Sequence, residues 1–214
     1  LGRKEVSAEV ALADGRRIRT VEVRGVLNRL ASVPLECLAR VALTDREYAS
    51  QEVHALLMSW LAAFRCPVLN RPTPSGLSGP WLHQSEWSSL AVRAGLPAAP
   101  YAQTSRDSPV QLDAVGRTLP ARAARRALLV VGEDVVGPAA PEEIVFGCRR
   151  LGELAGTDLL GVEFGIDRWE GWAFLAATPL PELSPGGEVL LDVLAAALRS
   201  GEVGPVGPLV RDSV

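Results

Sequence analysis

The sequence predicts an α/β fold of the α+β kind, with short strands and amphipathic helices grouped in two successive parts. Three observations carry this. An Asp-Gly turn joins two alternating, β-branched runs near the N-terminal end. A long stretch after it keeps a 3.6-residue apolar period. A second hairpin, a helix and a strand pair then follow one another in the C-terminal half. At 214 residues the chain can bury a sizeable core, as one large domain or two small ones.

Residues 5–12 and 18–27 read as strands around Ala13-Asp14-Gly15, and Val26 to Leu30 close the second strand. Asp45 to Phe64 reads as a helix with Thr44 or Asp45 as its cap. Tyr48, Val53, Leu56, Leu57, Trp60, Leu61 and Phe64 form its apolar stripe. Cys66 to Asn70 is a short strand, and the prolines of Arg71-Pro72-Thr73-Pro74-Ser75-Gly76 exclude regular structure after it. A second helix runs from His83 to Ala94 and stops at Gly95, before an extended piece from Leu96 to Tyr101. Residues 102–125 are polar and Arg-rich and read as a linker.

The C-terminal half opens with a hairpin, 127–132 and 134–136, across Gly132-Glu133. A helix follows from Pro141 to Ala155, with Pro at N1 and two glutamates in the first turn to suit the helix dipole. Leu159–Phe164 and Gly171–Ala177 are strands joined by a turn at Asp167–Glu170, and Gly187–Leu198 is the closing helix. The expected organisation is an N-terminal domain at 1–100, a linker at 101–126, a C-terminal part at 127–200 and a Gly/Pro-rich flexible tail at 201–214.

Composition narrows the function. Hydrophobic residues are 48% and charged residues 22%, which describes a globular chain. A net charge of -3 argues against sequence-independent nucleic-acid binding, which needs a basic face. No apolar run approaches the roughly 18–20 residues of a membrane span, so neither nucleic acid nor membrane is expected as a partner. No signal peptide is read, and Leu1 in place of an initiator Met leaves room for a preceding segment. Cys37, Cys66 and Cys148 are scattered and odd in number, which fits free thiols in a reducing cytoplasm. His54 and His83 lie on different helices without a Cys or His at ligand spacing, so no metal is expected there.

Several phrases then point one way. They are Asp45-Arg46-Glu47-Tyr48-Ala49-Ser50-Gln51-Glu52, then Val68-Leu69-Asn70-Arg71-Pro72, then Trp87-Ser88-Ser89-Leu90-Ala91-Val92-Arg93-Ala94-Gly95-Leu96-Pro97. Further on stand Val130-Val131-Gly132-Glu133-Asp134-Val135-Val136, Gly161-Val162-Glu163-Phe164 and Phe174-Leu175-Ala176-Ala177-Thr178-Pro179-Leu180-Pro181. In this order they resemble the peptide-ligase branch of the ATP-grasp ligases, including the maturases of ribosomally made peptides. The resemblance covers roughly residues 20–100 and 127–198. It implies a small N-terminal ATP-grasp-like domain with a mixed sheet, and a reduced C-terminal layer of antiparallel strands and helices.

The departures from that family are concerted. The resemblance places magnesium ligands at Glu163, Ala176 and Thr178, where the family has an acid, a Glu and an Asn. A methyl cannot ligate a hard cation, so the three positions read as a vestigial metal site. The family's phosphate lysines and Gly-rich loop would fall near 102–125. That segment holds one glycine, Gly116, and no lysine; of the chain's 22 basic residues only Lys4 is a lysine. No cofactor is expected.

What the resemblance leaves is a peptide grip. Arg29, Asn70, Arg71, Trp81, Trp169 and Trp172 are the candidate peptide-binding residues: the resemblance implies that Asn70, Arg71 and the loop to Trp81 face one cleft, and loop tryptophans serve either as binding anchors or as local packing. The expected function is a non-catalytic protein that presents a ribosomally made precursor peptide to a partner biosynthetic enzyme, as a homodimer. One alternative is an ATP-independent cyclisation or isomerisation with Glu163 or Asp167 as acid or base. Another is a regulatory pseudoenzyme docked on an active ligase. Glu163 itself reads as a leftover ligand, a structural acid or a reused catalytic group.

Overall fold

A computed structural model describes residues 9–98, 124–166 and 171–199. The first hairpin pairs β1 (Glu9–Ala11) with β2 (Arg17–Arg19) in antiparallel register, and Asp14 Oδ1 accepts from the Arg16 backbone N–H in its turn at 3.0 Å. The long second strand expected at 18–27 is broken. Glu22 accepts from the Arg19 N–H at 2.9 Å and closes a 3-10 turn over Thr20–Glu22, a local bond that competes with the ladder. The chain resumes as β3 (Val26–Leu27), which pairs in parallel with β4 (Val68–Leu69) instead of extending the hairpin.

Helix α1 (Arg46–Ala63) joins those strands, close to the expected span, with Asp45 at the N-cap position but making no side-chain cap bond. Its apolar stripe is covered only at one end. Trp60, Leu61 and Phe64 pack on Val26 and Val68, whereas Tyr48 is 68% and Leu56 65% exposed. Helix α2 (Gln84–Arg93) is capped by His83, whose Nδ1 accepts from the Ser85 N–H while Glu86 accepts from the His83 N–H at 2.7 Å. Gly95, at φ +83°, ends it as read from the sequence.

The larger sheet has the order β6-β5-β7-β8, all antiparallel, from β5 (Ala124–Val131), β6 (Asp134–Val136), β7 (Leu159–Ile166) and β8 (Trp172–Thr178). β5 begins at Ala124, inside the stretch read as a linker; the rest of that stretch, the tail from 201, Asp167 and Trp169 lie outside the described residues. Helix α3 (Glu142–Ala155) follows β6, with Pro141 as N-cap and not at N1: its ψ of 148° is extended, so the helix starts one residue later. Helix α4 (Gly187–Ala197) closes the chain.

Each sheet face buries its own core. Leu128, Val130, Leu160, Val162, Phe164 and Phe174 meet α2 and α3, while Leu129, Val131 and Leu159 meet Leu190 and Leu194 of α4 and Leu69 of β4. Fully burying one such side chain contributes about 1.5–3 kcal/mol. Cys148 lies in the first core at 0% exposure, and burial pushes its thiol up to about 12.

A β-bulge between Glu163 and Phe164 decides which side chains face which way. Glu163 pairs with Ala176 but Phe164 pairs with Phe174, so Leu175 is an extra residue on β8. Phe174 and Ala177 are three apart, an odd step that would put them on opposite faces of a regular strand, yet both lie in the same core. The freed Leu175 carbonyl accepts from Gln84 Nε2 at 2.5 Å.

Asn70 joins the N-terminal strands to this sheet. It is 1% exposed, with φ +59° in the left-handed region that Asn tolerates better than most residues. Its Nδ2 donates to the carbonyls of Leu159 at 2.8 Å and Pro179 at 2.7 Å, and its Oδ1 accepts from the Leu159 N–H at 2.8 Å. Asn28 reaches the Asn70 and Leu77 carbonyls at 2.8 and 2.6 Å. Asn70→Ala therefore takes their partner from three backbone groups, the buried Leu159 N–H and C=O and the half-buried Pro179 C=O, and forces alanine into a left-handed backbone. The expected loss is about 3 kcal/mol or more in urea unfolding, and Asn70→Asp, which keeps the acceptor and loses both donors, falls between. Cys148 is expected to resist iodoacetamide in the native protein at pH 8 and to react fully once unfolded, as peptide mass spectrometry would read directly.

Candidate functional site

Among the described residues, the face of the large sheet that packs on α4 is covered only over one half. Beyond Leu190 the strands leave a cavity of about 360 Å³ between β5, β7, the end of β8 and the start of α4. Glu163 and Thr178 both line it, with Gly161 between them in register: Thr178 pairs with Gly161, and Ala176 stands directly across from Glu163. The vestigial positions named from the sequence thus come together on one surface. Alternation along the strands requires it, because 161 and 163 on β7, and 176 and 178 on β8, each share a face.

A closer approach shapes the floor. A Cβ built on Gly161 would stand 2.6 Å from the Pro181 Cβ, so only glycine lets the segment after β8 fold over β7. That segment brings Glu182 to the same cavity. The Glu182 carboxylate accepts from the Ser184 hydroxyl at 2.6 Å and from its N–H at 3.3 Å. These bonds, with a smaller contribution from the Arg29 charge, hold its carboxyl below the usual range. Glu163 has Arg125 at 3.8 Å, with both side chains about half exposed, so the pair contributes little. Sequence reading missed Glu182; the one signal available was Glu-Leu-Ser-Pro ahead of α4, the spacing of a side-chain-capped turn.

The five candidate peptide-binding residues that are described do not converge. Asn70 is buried with its amide spent inside the fold. Arg71 donates to the carbonyls of Phe64 at 3.1 Å and Cys66 at 2.8 Å, which ties off the end of α1. Trp172 packs edge-on to Phe164 at 5.2 Å under the Arg126 guanidinium, within the core on the opposite sheet face from Glu163. Trp81 is 70% exposed on the loop before α2. Arg29 is exposed and lines a second, apolar cavity of about 440 Å³ walled by Val10, Ile18, Trp60 and Phe64.

Among solved structures, the chain is similar to the macrocyclase MdnC from Microcystis aeruginosa MRC bound with precursor peptide MdnA. The TM-score is 0.68 at 13% identity, over 94% of this chain and 86% of that one. The ATP-grasp ligase PsnB, complexed with a phosphomimetic variant of its minimal precursor, Mg and ADP, matches with a TM-score of 0.59 at 14% identity, over 89% of this chain and 85% of that one. The fold is ATP-grasp-like. A RiPP-associated ATP-grasp ligase from Chryseobacterium gregarium, in complex with ADP and a leader and core peptide, matches this ATP-grasp-like fold with a TM-score of 0.52 at 11% identity, over 91% of this chain and 81% of that one. No protein-family model and no curated protein matches the chain.

The ATP-grasp-like fold implies nucleotide and magnesium, and the residues of this face do not fit the metal. Glu163 stands opposite a methyl, the Glu182 carboxylate is bonded to Ser184 at 2.6 Å, and the Thr178 Oγ1 already accepts from the Leu180 N–H at 3.2 Å. Among the described residues, no three His, Cys, Asp or Glu side chains are grouped to hold a metal ion. Nor is any described helix long and apolar enough to cross a membrane.

The Glu182 turn makes a testable feature of the cavity rim. Its folded carboxyl is lowered, so its contribution to stability is present above the ordinary carboxylate range and is lost as pH falls through the lowered value. Ser184→Ala is expected to raise the Glu182 pKa toward that of a free glutamate, as a side-chain NMR titration would detect.

Proposed function

We propose that this protein binds a peptide without nucleotide, holding a ribosomally made precursor for a partner enzyme. The observation that carries this reading is the register of Glu163 against Ala176. The sheet is complete and clamped by Asn70, yet the place where the family resemblance puts metal carboxylates holds one acid, one methyl and a hydroxyl used in a turn. Support for a peptide as ligand comes from the neighbours of the same fold, three of which carry precursor, leader or core peptides. A fold that keeps its peptide-holding frame while losing its metal donors is suited to presentation.

In this reading the peptide runs past the second cavity, which Arg29 lines, and Trp81 is an exposed aromatic available as an anchor. Exposed Leu43, Tyr48 and Leu56 around α1 give an apolar surface for a partner enzyme or a second copy. Titration calorimetry with a synthetic precursor peptide encoded beside this chain is expected to give binding without turnover, and Mg-ATP no heat. Micromolar Mg-ATP binding would overturn the proposal. One observation favours a second reading, an ATP-independent enzyme: Glu163 lines the cavity itself. Under it, the bound peptide is chemically changed, and Glu163→Gln abolishes the change while leaving peptide affinity intact.

A further inference from the structure

We infer that helix α3 pairs with its own copy in an antiparallel, two-fold dimer centred on Phe146. The inference does not rest on the ligand proposed above, because α3 covers the sheet face opposite the 360 Å³ cavity.

The outward face of α3 is the starting point. The helix buries Ile144, Gly147, Cys148, Leu151 and Gly152, yet Phe146 is 66% exposed. At 3.6 residues per turn, Glu142, Glu143, Arg149, Arg150 and Glu153 all point within about 60° of Phe146, and each is exposed. The face thus has one large apolar side chain with charges on both sides. A single exposed aromatic needs no explanation; the order of the charges around this one does.

The charges reverse sign about Phe146. Glu142 and Arg150 lie four residues to either side of it, Glu143 and Arg149 three. Laid antiparallel on its own copy about a two-fold axis at Phe146, the helix sets Glu142 against the partner's Arg150 and Glu143 against the partner's Arg149, and each pair occurs twice. That is the self-complementarity an isologous interface demands. A parallel pair would set Glu on Glu and Arg on Arg. The two Phe146 rings meet at the axis, where an aromatic pair gains more than its buried area alone. Glu153 then stands at the N-terminal end of the partner helix, where the dipole favours an acid.

Two local effects account for only part of this pattern. The helix dipole favours Glu142 and Glu143 in the first turn, but Arg149 and Arg150 stand mid-helix and the last turn of α3 holds no basic residue. Arg150 donates to Glu153 at 2.7 Å, a half-exposed pair that contributes little and leaves the other guanidinium nitrogens to a partner. Neither effect places an aromatic between the charges. With 14 residues, α3 is about 21 Å long. One pair of such helices makes a small interface, so the association is weak and salt-sensitive.

Sedimentation velocity of the full chain is expected to show a dimer that grows with concentration up to about 200 μM. Raising sodium chloride from about 0.05 to about 0.5 M should weaken it at least about fivefold. Phe146→Asp is expected to give a monomer with an unchanged urea midpoint, because the side chain is exposed. Glu142→Arg with Glu143→Arg, and separately Arg149→Glu with Arg150→Glu, should each abolish the dimer. Mixing these two double variants should restore it as a heterodimer, since every facing pair is again opposite in sign. A wild-type monomer over the whole range, or a dimer that survives Phe146→Asp, overturns the inference. So do double variants with unchanged urea midpoints that fail to recover each other, and a dimer unaffected by salt. A dimer lost on Leu56→Asp and kept on Phe146→Asp would also overturn it, in favour of the exposed side of α1. Peptide and Mg-ATP binding are read separately by calorimetry, so the proposed function stands or falls on its own.

Discussion

Everything on the open sheet face depends on the buried amide of Asn70. β4 ends there, β7 begins there, and the loop that leaves β8 is held by the same Nδ2. Apolar contact between the N-terminal strands and the large sheet, such as Leu69 on Leu159, is not directional. The amide supplies direction: two donors and one acceptor fix the start of β7 against the end of β8 and leave no buried polar group of the side chain unpaired. The left-handed backbone at Asn70 is the cost of aiming the amide that way, and Asn28 steadies the turn by holding the Asn70 and Leu77 carbonyls.

Given that anchor, the bulge at Leu175 sorts the side chains. It keeps Phe174 and Ala177 in the core with α2 and α3, and leaves Ala176 and Thr178 on the side of Glu163. An extra residue in one strand is the means by which β-sheets re-aim side chains next to functional surfaces. Here it also separates Trp172, packed on Phe164, from the cavity. The cavity is therefore lined by Glu163, Thr178 and aliphatic residues of the strands, while Trp172 and Phe174 of β8 serve the core.

The electrostatics of this face follow from what stands on it. A site for a nucleotide triphosphate needs cations or a metal to offset the phosphate charge. On this face Glu163 stands opposite the Ala176 methyl with Arg125 at 3.8 Å, and the exposed Glu182 carboxylate is bonded to Ser184.

The local choices were legible in the sequence. Hairpin turns at Gly15 and Gly132, the stop of α2 at Gly95, the spans of α1, α3 and α4, and the shared surface of Glu163 and Thr178 all follow from turn chemistry and from the 3.6- and 2-residue periods. Those rules act over a few residues, so a single chain displays them. Tertiary contact decided the remainder. The break of the second strand at Glu22, the parallel pairing of β3 with β4, the bulge at Leu175 and the burial of Asn70 depend on partners that lie far along the chain or compete with the ladder, and periodicity carries no record of such partners. Glu182 joined the site for the same reason: Gly161 and Pro181 are twenty residues apart, and only folding brings them into contact.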